Sequence, residues 1–188
     1  MSDNDVRALI VYESMFGNTE KVALAIRDGL ERAVDTDVVR VDRCPASLPH
    51  DVRLLVVGGP THAFSMSRAS TRADASSQGD VVMPAKTGIR EWIDGLAGGS
   101  RRAVVATFDT RVTKVRRLPG SAAKAAVRAL RRHGFTTIAD PSSFYVDDSI
   151  GPVSDAELER AREWGELVGR ELRQFISPIR RHPWRRSA

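Results

Sequence analysis

Residues 12–21, which read YESMFGNTEK, concentrate side chains whose types and spacing could bind an anion. They follow an apolar run at 8–11 and precede residues 22–26, which have helical character. The free N–H groups and the positive dipole end of a starting helix favour an anion at such a place. Gly17 would let the backbone come close to it.

Three side chains of this stretch, those of Ser14, Asn18 and Thr19, can donate hydrogen bonds to a phosphate. The loop before the helix carries no Lys or Arg, so neutral donors would hold most of the charge. A plainer interpretation is available, because Asn18 or Thr19 could simply cap the helix. The stretch alone leaves both interpretations open, and the surrounding elements have to decide between them.

Apolar periodicity along the chain predicts strands that alternate with helices. We predict strands at 6–12, 37–41, 53–57 and 102–108 with a fifth inside 135–146, and helices at 18–33, 87–96, 122–133 and 155–175. Residues 65–80 are polar and too long for a routine connection, so we expect an active-site flap or local disorder there. The alternation predicts an α/β fold with a doubly wound five-stranded parallel sheet, strand order 2-1-3-4-5, and helices on both faces.

Such a sheet binds ligands beyond the carboxyl ends of its strands, where the winding reverses between strands one and three. Residues 12–21 lie at that point. Other anion-binding motifs are absent from the sequence: neither G-x-x-x-x-G-K-[ST] nor G-x-G-x-x-G occurs, which argues against nucleoside triphosphate hydrolysis and a Rossmann dinucleotide site. The four histidines and Cys44 lack metal-ligand spacing, and no residue is assigned a catalytic role.

Residues 10–26 resemble the phosphate-loop signature of the flavodoxin family. The pattern Ile10-Val11-Tyr12-x-Ser14-x-x-Gly17-x-Thr19-x-x-x-Ala23-x-x-Ile26 matches that signature at every defined position. The resemblance covers roughly residues 6–175, in the short-chain form of the family. It implies an FMN cofactor whose phosphate is wrapped by Ser14, Met15, Phe16, Gly17, Asn18 and Thr19.

Two further loops extend the resemblance, because flavodoxins hold the isoalloxazine ring between the loops after the third and fourth strands. The implied ring contacts are Pro60, Thr61, His62, Ala63 and Phe64 in the first loop, and Phe108, Asp109, Thr110 and Arg111 in the second. Many family members stack the ring between a Trp and a Tyr, which these loops lack. The family is also usually acidic near the cofactor, whereas this chain has four cations within residues 111–117.

The composition fits one globular domain: 188 residues, 41% hydrophobic, with a formal net charge of +5. We expect a flavodoxin-like domain at 1–176 and a basic tail at 177–188. A single cysteine and the lack of a signal-like start or a long apolar run favour a cytoplasmic protein without a membrane span.

Three functions remain open at this point. The first is a redox protein that carries electrons on FMN between partner proteins. The second is an FMN-dependent oxidoreductase that acts on a small acceptor such as a quinone. The third is a binding module that uses the basic segments on nucleic acid or a membrane surface. We rank the carrier first and expect nucleic acid binding least.

Overall fold

The computed structural model describes residues 6–77, 81–82, 87–97, 103–148 and 150–177. Its strands are β1 (Arg7–Tyr12), β2 (Asp35–Arg40), β3 (Val52–His62), β4 (Ser65–Met66), β5 (Val104–Val112), β6 (Thr136–Thr137) and β7 (Ser142–Val146). Its helices are α1 (Asn18–Leu30), α2 (Ala69–Ser76), α3 (Ile89–Asp94), α4 (Ala122–Arg132) and α5 (Asp155–Ile176). Short 3₁₀ turns follow β2 and β5, at Val41–Arg43 and Thr113–Val115.

The sheet runs in the order β2-β1-β3-β5, and both β6 and β7 then pair with β5 in parallel. This confirms the predicted fold and strand order, with the fifth strand divided into two pieces. Pro141 lies between the pieces and directly precedes β7. Since proline has no N–H to donate to a ladder, pairing resumes only after it.

The central strands are apolar along nearly their whole length because helices cover both faces of the sheet. Successive residues of β3 illustrate this: Leu54 and Val56 pack into a core with α1 and α5. Leu55 and Val57 pack into a second core with α3 and α4. The alternation places one hydrophobic layer on each face of the sheet. With both faces covered, the ends of the strands are left free for a site.

The polar segment at 65–80 forms a hairpin strand and a helix over its described part, so the alternative of local disorder is wrong there. The alternative of an active-site flap stays a prediction. β4 pairs antiparallel with the end of β3, and α2 follows it. The helix buries Ala75 and the whole side chain of Arg72. A buried arginine reads as a polar residue in any sequence profile, which is why composition misrepresented the segment.

Residues 78–80 and 178–188 lie outside the described residues, and the predicted basic tail falls there except for Ser177. Within the described ranges, no helix combines the length and apolar character that crossing a membrane requires.

Glycines allow α1 and α5 to pack with their backbones nearly in contact. A Cβ added to Gly165 would overlap the carbonyl oxygen of Ile26, and one added to Gly29 would overlap the carbonyl oxygen of Arg162. Because α1 begins at the candidate anion loop, this contact fixes the direction from which its N-terminus reaches the edge of the sheet.

We expect Gly165→Ala to lower the free energy of unfolding by about 1–3 kcal/mol, since the added methyl overpacks the crossing. At an open helical position the same change would raise the free energy of unfolding by about 1 kcal/mol. Whether Gly165→Ala raises or lowers stability therefore distinguishes a close contact from an open position. Urea denaturation measures the effect. Glu163→Ala, at an exposed position of the same helix, is the control. A stabilised Gly165→Ala variant would contradict the close approach.

Candidate functional site

An open cavity of about 270 Å³ lies at the carboxyl ends of β1, β3 and β5. The sequence places a polar loop after each of these strands, and the parallel sheet brings the three loops to one edge. The predicted site residues that line the cavity are Ser14, Met15, Phe16, Asn18, Thr19, Pro60, Thr61, His62, Ala63, Thr110 and Arg111. The remaining four, Gly17, Phe64, Phe108 and Asp109, are not among the lining residues.

Gly17 is the N-cap of α1, with φ at 85°, a left-handed conformation that favours glycine. Asn18 and Thr19 therefore do not cap the helix, and a glycine offers no side chain that could. The hydroxyl of Ser14 accepts a hydrogen bond from the backbone N–H of Glu20 at 3.3 Å. The first turn of α1 thus opens onto the cavity much as an anion-binding helix terminus would.

The side chains of Asn18 and Thr19 connect the loop to its neighbours. Asn18 donates from Nδ2 to the carbonyl of Ile150 at 2.8 Å, and the hydroxyls of Thr19 and Thr110 lie 2.7 Å apart. These contacts hold the start of α1 against the end of β5 and the loop before α5. The loop is consequently shaped by its own side chains, which is the preorganisation that a binding site needs.

The second loop is a two-residue hairpin between β3 and β4. Ala63 and Phe64 at its tip both have positive φ, 45° and 63°, which is the pattern of a type I′ turn. The turn leaves the Phe64 side chain 48% exposed at the tip. His62 and Ala63 face the cavity in its place.

Phe108 is a core residue. It is 1% exposed, and its ring centroid lies 6.3 Å from those of Phe144 and Trp164. Its neighbour Asp109 points to the opposite face of the sheet, where Oδ2 accepts the backbone N–H of Ala123 at 2.8 Å and caps α4. Residues of a strand alternate between the two faces, and at these two positions both faces are covered by helices.

Five lining residues were missed by the sequence analysis. Three come from α2 and two from the ends of β5 and β7: Thr71, Asp74, Ala75, Val112 and Val146. The three helical residues share one face at three- and four-residue spacing, which was the available signal. It was overlooked because the segment was interpreted as a flap or as local disorder, and no helix was predicted there.

His62 is half-buried and joined to the backbone of Thr71. Burial lowers its pKa below the ordinary value and the charge of Arg72 lowers it further, while the hydrogen bond with Thr71 opposes the shift. The imidazole is therefore neutral at physiological pH. A neutral ring suits packing against a ligand better than a charged one.

Arg111 places a positive charge in the wall of the cavity. Its side chain is buried, and Nη2 donates to the carbonyls of Val115 at 2.7 Å and Leu118 at 3.2 Å. Nε is buried and has no hydrogen-bond partner within the described part of the chain. No carboxylate there forms an ion pair with this guanidinium, so its charge is left for whatever occupies the cavity.

A buried ionic cluster supports the cavity from below. Arg72, with no exposed surface, lies 3.1 Å from a Glu91 carboxylate oxygen and donates from Nη1 to the Ser67 hydroxyl at 2.8 Å. Glu13, the residue before Ser14, accepts the backbone N–H of Ile89 at 2.9 Å. The cluster ties the anion loop to α2 and α3.

The pKa values of the two carboxylates in this cluster, those of Glu13 and Glu91, are shifted in opposite directions. Burial raises the pKa of Glu13, although hydrogen bonds from Ser67 and Ile89 and the charge of Arg72 act against it. Burial also raises the pKa of Glu91, but the hydrogen bond from Arg72 and those from the backbone outweigh it, so the net shift is downward.

The family model described as Flavodoxin matches residues 10–164 of the chain. No curated protein matches the chain. Three solved structures resemble this chain. Because their sequence identities to it are low, the resemblance shows only that they share a fold.

A flavodoxin from the domain Archaea is 18% identical with a TM-score of 0.60, and the alignment covers 89% of this chain and 99% of that one. A flavodoxin from Streptococcus pneumoniae TIGR4 is 17% identical with a TM-score of 0.61, covering 91% and 100%. A short-chain flavodoxin associated with a PDU bacterial microcompartment is 16% identical with a TM-score of 0.62, covering 92% and 99%.

We expect Arg72→Met to cost about 3–5 kcal/mol in the free energy of unfolding, because the buried carboxylate of Glu13 and the partly exposed one of Glu91 lose their cation. The deficit relative to wild type should shrink as the pH is lowered. Without Arg72 the pKa of Glu13 rises further, and a group with a raised folded pKa contributes its stability at low pH. Glu91 also loses its stabilising partner, whose benefit existed only at higher pH.

Chemical denaturation across a pH series measures this. Glu13→Gln added to Arg72→Met should recover part of the loss, and Arg68→Met, at an exposed position beside α2, should change stability by less than about 0.5 kcal/mol. A deficit that stays constant with pH would argue that Arg72 acts through packing alone.

Proposed function

Because the chain belongs to the flavodoxin family, whose members bind FMN, we propose that it carries electrons on FMN between partner proteins. The observation that carries the proposal is the loop at 14–19, which presents the glycine-capped start of α1 to the cavity. FMN supplies the electron chemistry when bound, and the protein supplies its position and electrostatic surroundings.

The residues present fit this cofactor. Around the phosphate, the hydroxyls of Ser14 and Thr19 and the backbone of the loop supply neutral donors beside a positive helix terminus. A Cβ added to Gly17 would meet nothing within 4 Å, so the loop has open space where a ligand can approach its backbone. The buried Nε of Arg111 is a donor that still requires an acceptor.

The ring would lie between the β3–β4 hairpin and the end of β5. His62 and Ala63 offer one wall, and Thr110, Arg111 and Val112 offer the other. The aromatic side chains among the lining residues are those of Phe16 and His62, so this chain lacks the Trp and Tyr pair of many relatives at its lining positions. The flavin ring would contact β5 through hydrogen bonds, the charge of Arg111 and the aliphatic side chain of Val112.

Arg111 is the residue we expect to set the redox behaviour. Fully reduced FMN is negatively charged when its ring is deprotonated, and a nearby guanidinium stabilises that charge. A partly screened charge at several ångströms contributes on the order of 1 kcal/mol. For one electron this corresponds to roughly 45 mV.

Titration of the purified apoprotein with FMN and with riboflavin, followed by flavin fluorescence, tests the proposal. We expect tight binding of FMN and much weaker binding of riboflavin, since only FMN carries the phosphate. Ser14→Ala and Thr19→Val should each weaken FMN by about tenfold or more, in line with hydrogen bonds to a charged group. They should leave riboflavin nearly unchanged. Equal affinity for the two flavins, or steady turnover of a quinone with a reduced nicotinamide, would contradict a dedicated carrier.

We expect Arg111→Gln to lower the midpoint potential of the most reducing couple of bound FMN by roughly 45 mV, through loss of about 1 kcal/mol of charge stabilisation. Spectroelectrochemical titration measures the potential directly. Arg111→Lys keeps the charge and should retain most of the wild-type value. If both variants shift the potential equally, the effect comes from the lost carbonyl contacts of Arg111 rather than from its charge.

A further inference from the structure

Beside the cavity mouth, cationic and apolar side chains form one exposed surface. It consists of Lys114, Arg116 and Arg117 with the apolar side chains of Phe64 and Leu118, and is called here the basic rim. All five are exposed, Phe64 at 48% and Leu118 at 47%. Large exposed apolar side chains surrounded by charge are characteristic of a protein interaction surface.

The basic rim adjoins the proposed flavin position on two sides. Ala63 lines the cavity and directly precedes Phe64, while Val112 lines it and lies two residues before Lys114. The two loops also touch each other, since a Cβ added to Gly120 would lie 2.6 Å from the carbonyl oxygen of Phe64. A partner seated here would therefore cover the open side of the cavity.

The loop that carries the cations is held in place by the protein. Arg111 donates to the carbonyls of Val115 and Leu118, and the Thr113 hydroxyl donates to the carbonyl of Val146 at 3.0 Å. The backbone N–H of Leu118 closes a turn on the carbonyl of Val115, also at 3.0 Å. A fixed loop loses little conformational freedom on docking, which favours binding.

The charge of the basic rim is not neutralised locally. None of its three cations forms an ion pair with any residue that the structure describes. Of the nearby acids, Asp109 is buried as the cap of α4 and Asp74 lines the cavity. Asp147, one residue beyond β7, is exposed and makes the surface less basic on that side.

We propose that the basic rim docks an acidic redox protein, with Phe64 and Leu118 at the apolar centre of the contact. The inference rests on the proposed function and adds the chemical class of the partner. Complementary charge would steer association, and the apolar pair would exclude water at the contact. The apolar centre favours a protein over nucleic acid, whose binding is dominated by phosphate contacts.

An acidic plant-type [2Fe–2S] ferredoxin serves as the probe, mixed in its reduced form with the FMN-loaded protein in a stopped-flow instrument. Each reduced cluster gives one electron to bound FMN and becomes oxidised, so the flavin absorbance reports the rate. We expect the rate to fall steeply with added salt. In the control experiment the reduced flavoprotein is mixed with oxidised cytochrome c, a basic protein that accepts one electron from the flavin. The rate of this reaction should not fall with added salt.

Two charge-matched triple variants separate the basic rim from the overall charge of the protein. The first combines Lys114→Gln, Arg116→Gln and Arg117→Gln, and the second combines Arg128→Gln, Arg132→Gln and Arg170→Gln on exposed positions of α4 and α5. At low salt the first should slow the ferredoxin reaction by about tenfold or more, and the second by less than about twofold. Equal slowing by both would overturn the proposal.

Two further measurements complete the test. Phe64→Ala with Leu118→Ala should slow the reaction even at high salt, whereas Leu167→Ala, an exposed leucine of α5, should not. FMN titration of the wild type and of every variant distinguishes the proposed function from the docking proposal. A wild type that does not bind FMN would contradict the proposed function itself. Tight FMN binding with no effect of the basic rim defeats only the docking. Tighter, salt-sensitive binding of duplex DNA than of ferredoxin would also overturn it.

Discussion

The cavity depends on the ion pair and hydrogen bonds of the buried Arg72 guanidinium. This guanidinium lies between the residue before the anion loop and the start of α3, and it belongs to α2, which forms one wall of the cavity. A buried ion pair adds little net stability, but removing one member leaves an uncompensated charge. The cluster therefore favours one arrangement of three elements over loosely packed alternatives.

Much of the fold could be predicted because its signals are local. Strands covered on both faces are continuous apolar runs, and a strand, a small polar loop and a helix in succession place a ligand at the edge of the sheet. The candidate anion loop was identified for that reason, and its residues line one cavity together with residues of the second and third loops. The division of the last strand follows from Pro141, which has no N–H to donate to a ladder.

The remainder depended on contacts between distant residues. The burial of Arg72 cannot be predicted from its residue type. Residues 65–80 were therefore interpreted as a flap or as local disorder, no helix was predicted there, and the three lining residues of α2 were missed. The position of Phe108 depends on which face of β5 is covered, and its aromatic partners lie more than thirty residues away in sequence. Asp109 was assigned to the site from its loop position, although the nearby start of α4 uses its carboxylate.

The helix starts beside the cavity differ in how their N–H groups are used, and this has a consequence for selectivity. α3 receives carboxylates from Glu13 and Glu91, and α4 is capped by Asp109 and Ser121. At α1 the N-cap is Gly17, and the side chain that accepts a first-turn N–H group is the neutral hydroxyl of Ser14. A mononucleotide has one phosphate to seat there. At the starts of α3 and α4 the same phosphate would meet carboxylates instead, which would repel it.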